Sequence, residues 1–187
     1  MIYFILGISG SGKSTLIKNI KKLNLSNLAH PLSYKTRKKR DFEIDGIDAY
    51  FLSKEDFLNG INAGEFLEYA LVHGDEYYGT KWSDIEESLN LGKDVLKELD
   101  LNGLIKLKKE RQDLKNVYKT IFLDLPIGKL EERILQRQIN VDKKELEIRL
   151  KNAFIEEENL RKLCNFDIDA TKTEEEILEE VLNIIKN

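Results

Sequence analysis

The residues best suited to do chemistry are residues 7–14, which read G-I-S-G-S-G-K-S and fit the pattern G-x-x-x-x-G-K-[ST]. Glycines at these spacings let the backbone curl, so that successive N–H groups point at phosphate oxygens. Lys13 offers a positive charge to the β- and γ-phosphates, and the Ser14 hydroxyl can ligate Mg²⁺. The pattern predicts a nucleoside triphosphate site with these candidate residues: Gly7, Ser9, Gly10, Ser11, Gly12, Lys13, Ser14 and Thr15.

The surroundings of this loop disfavour the alternative, a glycine-rich turn without a ligand. Ile2–Leu6 is a short apolar run before a glycine, which is typical of a buried parallel strand. Residues 14–23 carry apolar side chains at helical spacing, with lysines between them. A phosphate loop between a strand and a helix directs the positive end of the helix dipole at its ligand.

A second motif raises the question of a GTPase. Asp100-Leu101-Asn102-Gly103 fits the D-x-x-G segment that follows a strand in GTPases. The chain contains no N-K-x-D segment, with which GTPases read guanine. A GTPase is therefore disfavoured.

The basic run at residues 35–40 has three interpretations, in this order of preference. It is a phosphate site for a second small substrate, a solvated face or a nucleic-acid patch. The first is favoured because carboxylates and aromatics follow the run, and because planar guanidinium groups such as those of Arg37 and Arg40 grip phosphate with paired hydrogen bonds.

The composition indicates an ordinary globular domain. The 187 residues are 41% hydrophobic and 34% charged with a net charge of -4, which argues against disorder and against bulk affinity for nucleic acid or membranes. Only five apolar residues follow Met1 before Gly7, too few for a signal peptide or a membrane span. We therefore expect a cytoplasmic protein with no nucleic-acid or membrane partner.

Strands and helices alternate at both ends of the chain, which predicts an α/β domain with a parallel sheet. Residues 33–78 break the alternation with short aromatic and glycine-rich runs, as an inserted lobe with its own small sheet would. Strands are predicted at Ile2–Leu6, 94–99, 117–125 and 166–170, and helices at 14–23, 84–91, 129–138 and 142–163. Capping pairs are predicted at Ser53/Asp56, Ser83/Glu86, Asp142/Glu145 and Thr173/Glu176.

An ordered set of motifs resembles those of the guanylate kinase family, from the phosphate loop to about residue 150. They stand at residues 33–37, 43–48, 64–70, 77–80 and 94–103. The resemblance implies a P-loop NTPase three-layer α/β fold with a central parallel sheet, an inserted small mixed-sheet lobe that binds GMP, and a helical lid. It also implies one domain over residues 1–187, with a core at 1–32, 80–132 and 150–187, the lobe at 33–79 and the lid at 133–149.

The resemblance implies a role for each substrate residue. Glu68, as a pure acceptor, and Asp100 suit the two N–H donors on one edge of guanine, and the hydroxyls of Ser33 and Thr80 would donate to its carbonyl oxygen. The phosphate of GMP would be held by Arg37, Arg40 and Tyr78. The family also has an acid near the metal and the phosphates at the position of Glu98.

The reaction that the resemblance implies is transfer of the γ-phosphate of ATP to GMP or dGMP, with Mg²⁺. Catalysis would rest on cations that stabilise the transferring group: Lys13, Arg37, Arg133, Arg137 and Arg149. For Arg133 a helix salt bridge with neighbouring acids stays open as an alternative. Two other functions also stay open: a related kinase with another acceptor, and a non-catalytic guanylate-kinase-like interaction module. The expected oligomeric state is a monomer or a homodimer.

Four departures from the family pattern stand out. The segment of residues 73–78 is one residue longer than in the family, so a different loop is expected before Tyr78. Ala49 occupies the place of a phosphate-binding tyrosine, and Tyr50, one residue later, would point to the opposite side of a strand. Residues 136–139 lack the glycines that flank the lid arginine in the family. Residues 167–172 replace an asparagine-containing adenine loop, so the identity of the phosphate donor is less firmly indicated than that of the acceptor.

Overall fold

The computed structural model of the protein describes residues 1–72, 75–137 and 143–186. The strands are β1 Ile2–Leu6, β2 Leu28–Ala29, β3 Tyr34–Lys35, β4 Tyr50–Phe51, β5 Phe66–Val72, β6 Glu76–Lys81, β7 Asp94–Glu98, β8 Tyr118–Asp124 and β9 Phe166–Asp169. The helices are α1 Lys13–Lys22, α2 Lys54–Asn62, α3 Trp82–Asn90, α4 Leu101–Glu110, α5 Ile127–Arg137, α6 Lys143–Leu163 and α7 Glu174–Lys186. A 3₁₀ turn lies at Gln112–Leu114.

The larger sheet has the strand order β2-β7-β1-β8-β9. The pairs β2 with β7, β1 with β8 and β8 with β9 are all parallel. Helices occupy most of the connections between these strands, as parallel pairing requires. The predicted α/β fold with a central parallel sheet is therefore confirmed.

Burial explains the composition of β1, at the centre of this sheet, in which Tyr3 is the one residue with a polar side-chain group. All five residues of β1 are buried, and so are the four from Thr120 to Leu123 in β8. Helix α7 buries Ile177, Val181 and Ile185, which share one face because they are four residues apart. Helix α7 packs against α1 and β9, so that face closes the core beside the first helix.

The smaller sheet is mixed, with the order β4-β3-β6-β5. β3 pairs with β4 in parallel and with β6 in antiparallel orientation, and β5 pairs with β6 in antiparallel orientation. Helix α2 packs on β6, and the rings of Phe57 and Phe66 stack with centroids 4.2 Å apart. The expected small mixed sheet is present, with an aromatic core of its own.

The structure describes three of the four predicted capping pairs. Ser53 caps α2 by accepting a hydrogen bond from the Asp56 N–H, and Thr173 and Glu176 form the reciprocal pair that begins α7. The Ser83/Glu86 prediction is wrong, because α3 begins at Trp82. The Trp82 backbone N–H bonds to the Glu65 carbonyl, so the chain turns into the helix two residues early. The Asp142/Glu145 pair lies outside the residues and side chains described.

The chain divides into two compact units. The first contains Met1, residues 26–96 and residues 102–116, and it holds the whole mixed sheet. The second contains residues 2–25, 97–101 and 117–187, and it holds β1, β8, β9 and the phosphate loop. No helix in the described part of the chain is long and apolar enough to span a bilayer.

Candidate active site

The phosphate loop of residues 7–14 owes its shape to glycines at places that exclude other residues. Gly12 caps α1 with φ of +102°, a conformation that L side chains rarely adopt. A Cβ on Gly7 would lie 2.4 Å from the Ser11 Oγ and 3.0 Å from the Leu123 carbonyl oxygen. The loop therefore passes directly over β8 and delivers the first turn of α1, with its unpaired N–H groups, to one place.

Lys13 is held at the mouth of this loop by oxygen atoms. Its Nζ donates to the carbonyl oxygens of Gly7, at 2.6 Å, and Ile8, at 3.2 Å. The Glu98 carboxylate, at the end of β7, lies 3.8 Å from the same nitrogen. A phosphate oxygen is a stronger acceptor than a carbonyl oxygen, so a nucleotide can take over this ammonium group.

The hydroxyl groups of the loop fit a phosphate and a hydrated metal ion. Ser11 is 1% exposed, and within the described residues its Oγ has no hydrogen-bond partner. Ser9, Ser14 and Thr15 are exposed. A buried hydroxyl without a partner is costly unless a ligand uses it, and exposed hydroxyl and carboxylate oxygens are the kind of ligand that suits Mg²⁺. The donor set therefore fits the predicted metal and nucleotide.

A cavity of about 280 Å³ opens beside the loop. Its walls combine the helix start at Gly12 and Thr15, the apolar side chains of Leu16 and Ile177, and the guanidinium of Arg133. The lining mixes these apolar side chains with polar and charged groups, and such a slot can hold a flat heterocyclic base. The position next to the phosphate loop suits the base of a bound nucleotide.

Arg133, on α5, donates hydrogen bonds to two backbone carbonyl groups. Its Nη1 donates to the Gly10 carbonyl at 3.0 Å, and its Nη2 donates to the Ala170 carbonyl at 2.9 Å. The guanidinium thus ties the phosphate loop to the turn after β9. Of the other lid arginines, Arg149 is exposed on α6, and Arg137 ends α5 with a side chain outside those described.

Glu156 is a residue of this unit that the sequence analysis missed. It lies on α6 between the buried residues Ala153 and Leu160, at helical spacing that places all three on one face. Burial raises the pKa of its carboxyl group, nearby Lys13 opposes that rise, and Asp100 adds to it. A carboxyl group among apolar residues of a helix face was the available signal.

In the first unit, the basic loop of residues 37–43 is organised by one carboxylate. Glu43 is 7% exposed and accepts hydrogen bonds from Nη1 of Arg37 at 2.6 Å, from Nη2 of Arg37, and from the Arg40 N–H at 2.9 Å. These bonds lower the pKa of the Glu43 carboxyl to about 2. The same pairing raises the pKa of Arg37. The sequence analysis gave Glu43 no role.

The other predicted phosphate ligands surround this loop. The hydroxyl of Tyr78, on β6, hydrogen-bonds to the Arg37 side chain. The Arg40 side chain is exposed, with its guanidinium carbon 6.0 Å from the centre of the Phe42 ring. Ala49 is fully buried, whereas the Tyr50 ring is 37% exposed and stacks on Tyr34 at 4.8 Å, so the two residues face opposite ways, as expected.

The predicted guanine-reading residues of this unit include one tight pair. The Thr80 hydroxyl donates to the Glu68 Oε1 at 2.6 Å, and both residues are buried. Ser33 is half-buried before β3, and its carbonyl accepts from the Tyr50 N–H. Because Thr80 has a single hydroxyl proton, in this arrangement it offers a ligand acceptor lone pairs and no donor. Asp100, exposed directly after β7, belongs to the second unit.

Comparisons with known proteins agree on one family. The family model described as guanylate kinase matches residues 1–187. A guanylate kinase from Thermotoga maritima is 36% identical over 190 aligned positions, which cover 100% of this chain and 86% of that protein. One from Fusobacterium nucleatum is 37% identical over 156 positions, covering 83% of this chain and 80% of the relative.

A solved structure shows the same fold. The crystal structure of guanylate kinase from Anaplasma phagocytophilum superposes with a TM-score of 0.72 at 24% identity, covering 99% of this chain and 84% of the other.

Proposed function

The chain belongs to the guanylate kinase family, and from this premise we propose which of its residues carry the transfer of the γ-phosphate of ATP to GMP. The protein is an ATP-dependent nucleoside monophosphate kinase. The observation that carries the residue assignment is that one chain contains two phosphate-binding loops of different construction. One is built on backbone N–H groups and Lys13, and the other is built on Arg37.

ATP binds at the phosphate loop. The N–H groups of residues 9–15 surround the β- and γ-phosphates, with the buried Ser11 hydroxyl beneath them. Lys13 leaves the carbonyl oxygens of Gly7 and Ile8 and neutralises the transferring phosphate. The adenine occupies the cavity beside Leu16 and Ile177. Since no family-type asparagine lies in the turn at residues 167–172, this turn selects adenine less strongly than in the family.

Mg²⁺ is the metal that the family typically uses, and Ser14 would hold it, with Glu98 nearby. When bound, it neutralises negative charge that develops on the phosphates during transfer. The Ser14 hydroxyl and the Glu98 carboxylate would supply oxygen atoms as ligands for this ion.

GMP binds in the first unit. Arg37, Arg40 and Tyr78 hold its phosphate, and the Arg37 fork supplies two parallel hydrogen bonds. Glu68 accepts from the guanine N–H donors, and Thr80, by donating to Glu68, fixes the direction of that carboxylate. Ser33 is assigned a further contact with the base, and Asp100, in the second unit, keeps the base-reading role that the family resemblance implies. Adenine lacks both donors, so it would leave a buried carboxylate without partners, which disfavours AMP strongly.

The arginines of residues 133–149 act on the transferring group from the ATP side. Arg137 and Arg149 stabilise the charge spread over the phosphoryl oxygens. Arg133 supports the phosphate loop through its bond to the Gly10 carbonyl, and its charge remains close to the nucleotide. We assign residues 133–149 as the lid, residues 33–79 as the acceptor lobe and the remainder as the core.

A coupled ADP-release assay with five acceptors tests the proposal. GMP and dGMP should be phosphorylated, and AMP, CMP and UMP should be far poorer substrates. Glu68→Gln should lose most of its activity with GMP. An amide has one acceptor oxygen, and its NH₂ group would face an N–H donor of the base. Glu87→Gln, an exposed acid on α3, is the matched control. AMP turnover equal to GMP turnover would refute the guanine assignment while leaving the kinase assignment intact.

A further inference from the structure

We propose that Glu43 is a positioning residue for the acceptor site: it holds Arg37 so that one edge of the guanidinium faces the phosphate of the nucleotide. This inference rests on the proposed function, because it assumes that Arg37 binds that phosphate. Glu43 itself touches no reacting atom.

The donors of Arg37 are divided in a way that supports this role. A guanidinium has five N–H donors. Two of them, one on each terminal nitrogen, go to the two oxygens of Glu43, and a further Nη1 N–H goes to the Lys38 carbonyl at 3.0 Å. The other two donors, on Nε and Nη2, lie on one edge of the planar group, and the Tyr78 hydroxyl, itself assigned to the phosphate, accepts from this edge because arginine can only donate. That edge is a fork of the kind that binds a phosphate with two parallel hydrogen bonds.

Packing fixes the plane of the fork. The Arg37 guanidinium carbon lies 5.4 Å from the centre of the Phe51 ring, and the Tyr78 hydroxyl also hydrogen-bonds to the side chain. The side chain of Arg37 is 16% exposed and that of Glu43 is 9% exposed. Because the pair is shielded from water, its geometry is held more firmly than that of a surface ion pair.

Glu43 also closes the loop that contains the other basic residues. Its second oxygen accepts from the Arg40 N–H, and its own N–H donates to the Arg40 carbonyl at 3.0 Å. The Lys39 ammonium donates to the Glu43 carbonyl at 2.8 Å. Glu43 therefore orients the Arg37 side chain and also fixes the backbone as far as Arg40. The guanidinium groups of these two arginines are the ones assigned to the phosphate.

A competing interpretation makes the opposite prediction. If the Glu43 carboxylate were a rival of the phosphate for Arg37, removal of its charge would free the arginine and lower the KM for GMP. If Glu43 orients Arg37, the same removal raises the KM, because a flexible arginine is ordered only when the ligand binds.

The test is a double-mutant cycle on the full-length protein, with Glu43→Gln, Arg37→Ala and the double variant. Glu43→Gln should raise the KM for GMP about tenfold and leave the KM for ATP unchanged. The amide offers one acceptor and turns an NH₂ group toward the arginine. In the Arg37→Ala background, Glu43→Gln should raise the KM for GMP much less than in the wild type, because only its bond to the Arg40 N–H is then lost. Glu87→Gln removes one exposed acid from the same unit and should match the wild type.

Guanosine, which lacks the phosphate, separates positioning from general damage to the fold. Its inhibition constant should be the same for Glu43→Gln and the wild type. An equal rise for guanosine and GMP, an additive effect in the double variant, or a lower KM for GMP would overturn the proposal. If the wild type does not phosphorylate GMP, the proposed function fails first. If it does and Glu43→Gln keeps the wild-type KM, the positioning role alone fails.

Discussion

The two loops that we propose as phosphate sites are built by different means. The loop at residues 7–14 presents backbone N–H groups, and its shape depends on glycines whose Cβ atoms would clash or strain the chain. The loop at residues 37–43 presents side chains, and its shape depends on the buried Glu43 carboxylate. A backbone loop has its donors fixed by the chain, whereas long side chains need a partner to fix them.

This difference explains what each loop tolerates. In the first loop most of the information is local, since eight consecutive residues specify the turn and the helix start. In the second, Arg37 depends on Glu43, six residues away, on Phe51 and on Tyr78 of another strand. Because each of these side chains has partners of its own, the proposed phosphate site should tolerate the absence of a tyrosine at Ala49.

The largest effect is expected when the cation of the backbone loop is removed. Lys13→Ala should lower kcat about a thousandfold or more, because the lost charge acts on the transferring phosphate. The melting temperature should change little, since the Nζ donates only to two loop carbonyls and lies at the loop mouth. Lys18→Ala, an exposed lysine on α1, is the control. A folded Lys13→Ala variant with most of its activity would remove this loop from the mechanism.

The side-chain loop should respond mainly in substrate affinity. Arg37→Ala should raise the KM for GMP by about 10- to 100-fold, the range for losing charge-assisted hydrogen bonds. Arg37→Lys should recover little of the lost affinity for GMP, since an ammonium group cannot form the two parallel hydrogen bonds of a guanidinium. Steady-state kinetics with each substrate varied in turn separate an effect on the KM for GMP from effects on the KM for ATP and on kcat. Lys38→Ala removes a nearby exposed charge. Equal losses in Lys38→Ala and Arg37→Ala would mean that only net charge matters.

A smaller effect tests whether the backbone loop is wholly local. Arg133→Ala removes donors from the Gly10 and Ala170 carbonyls, which should lower the melting temperature by about 2–6 °C and raise the KM for ATP about tenfold. Calorimetry and ATP-dependent kinetics measure both. Lys129→Ala, on the exposed side of α5, is the control. If neither quantity changes, the loop needs no side-chain support.

The smallest effect is the contribution of Glu43 to stability at low pH. Its pKa is about 2 in the folded protein against 4.5 as the ordinary value, so folding favours the charged form. This stabilisation is fully present above about pH 4.5 and is lost as the pH falls toward 2. The difference in unfolding free energy between wild type and Glu43→Gln should shrink over that window. Denaturant unfolding at several pH values measures it, and a constant difference would contradict the ion pair.

Much of the fold could be predicted from local patterns. The apolar run of β1, the glycines of the phosphate loop and the Thr173/Glu176 capping pair all act over a few residues, and all three are found as expected. The start of α3 was missed, because the carbonyl of Glu65, just before β5, accepts a hydrogen bond from the Trp82 N–H and the chain turns before Ser83. Long-range hydrogen bonds of this kind leave no local pattern.

The candidate site divides in the same way. The sequence by itself determined the phosphate loop, the order of the family motifs and the residue types that suit guanine and phosphate. Only the tertiary structure decided that Arg133 bonds to two carbonyls, that Thr80 donates to Glu68 and that Glu43 holds Arg37. The physical reason is that a backbone conformation is set by neighbouring residues, whereas the partner of a long or buried polar side chain is set by whatever the fold brings within hydrogen-bond distance.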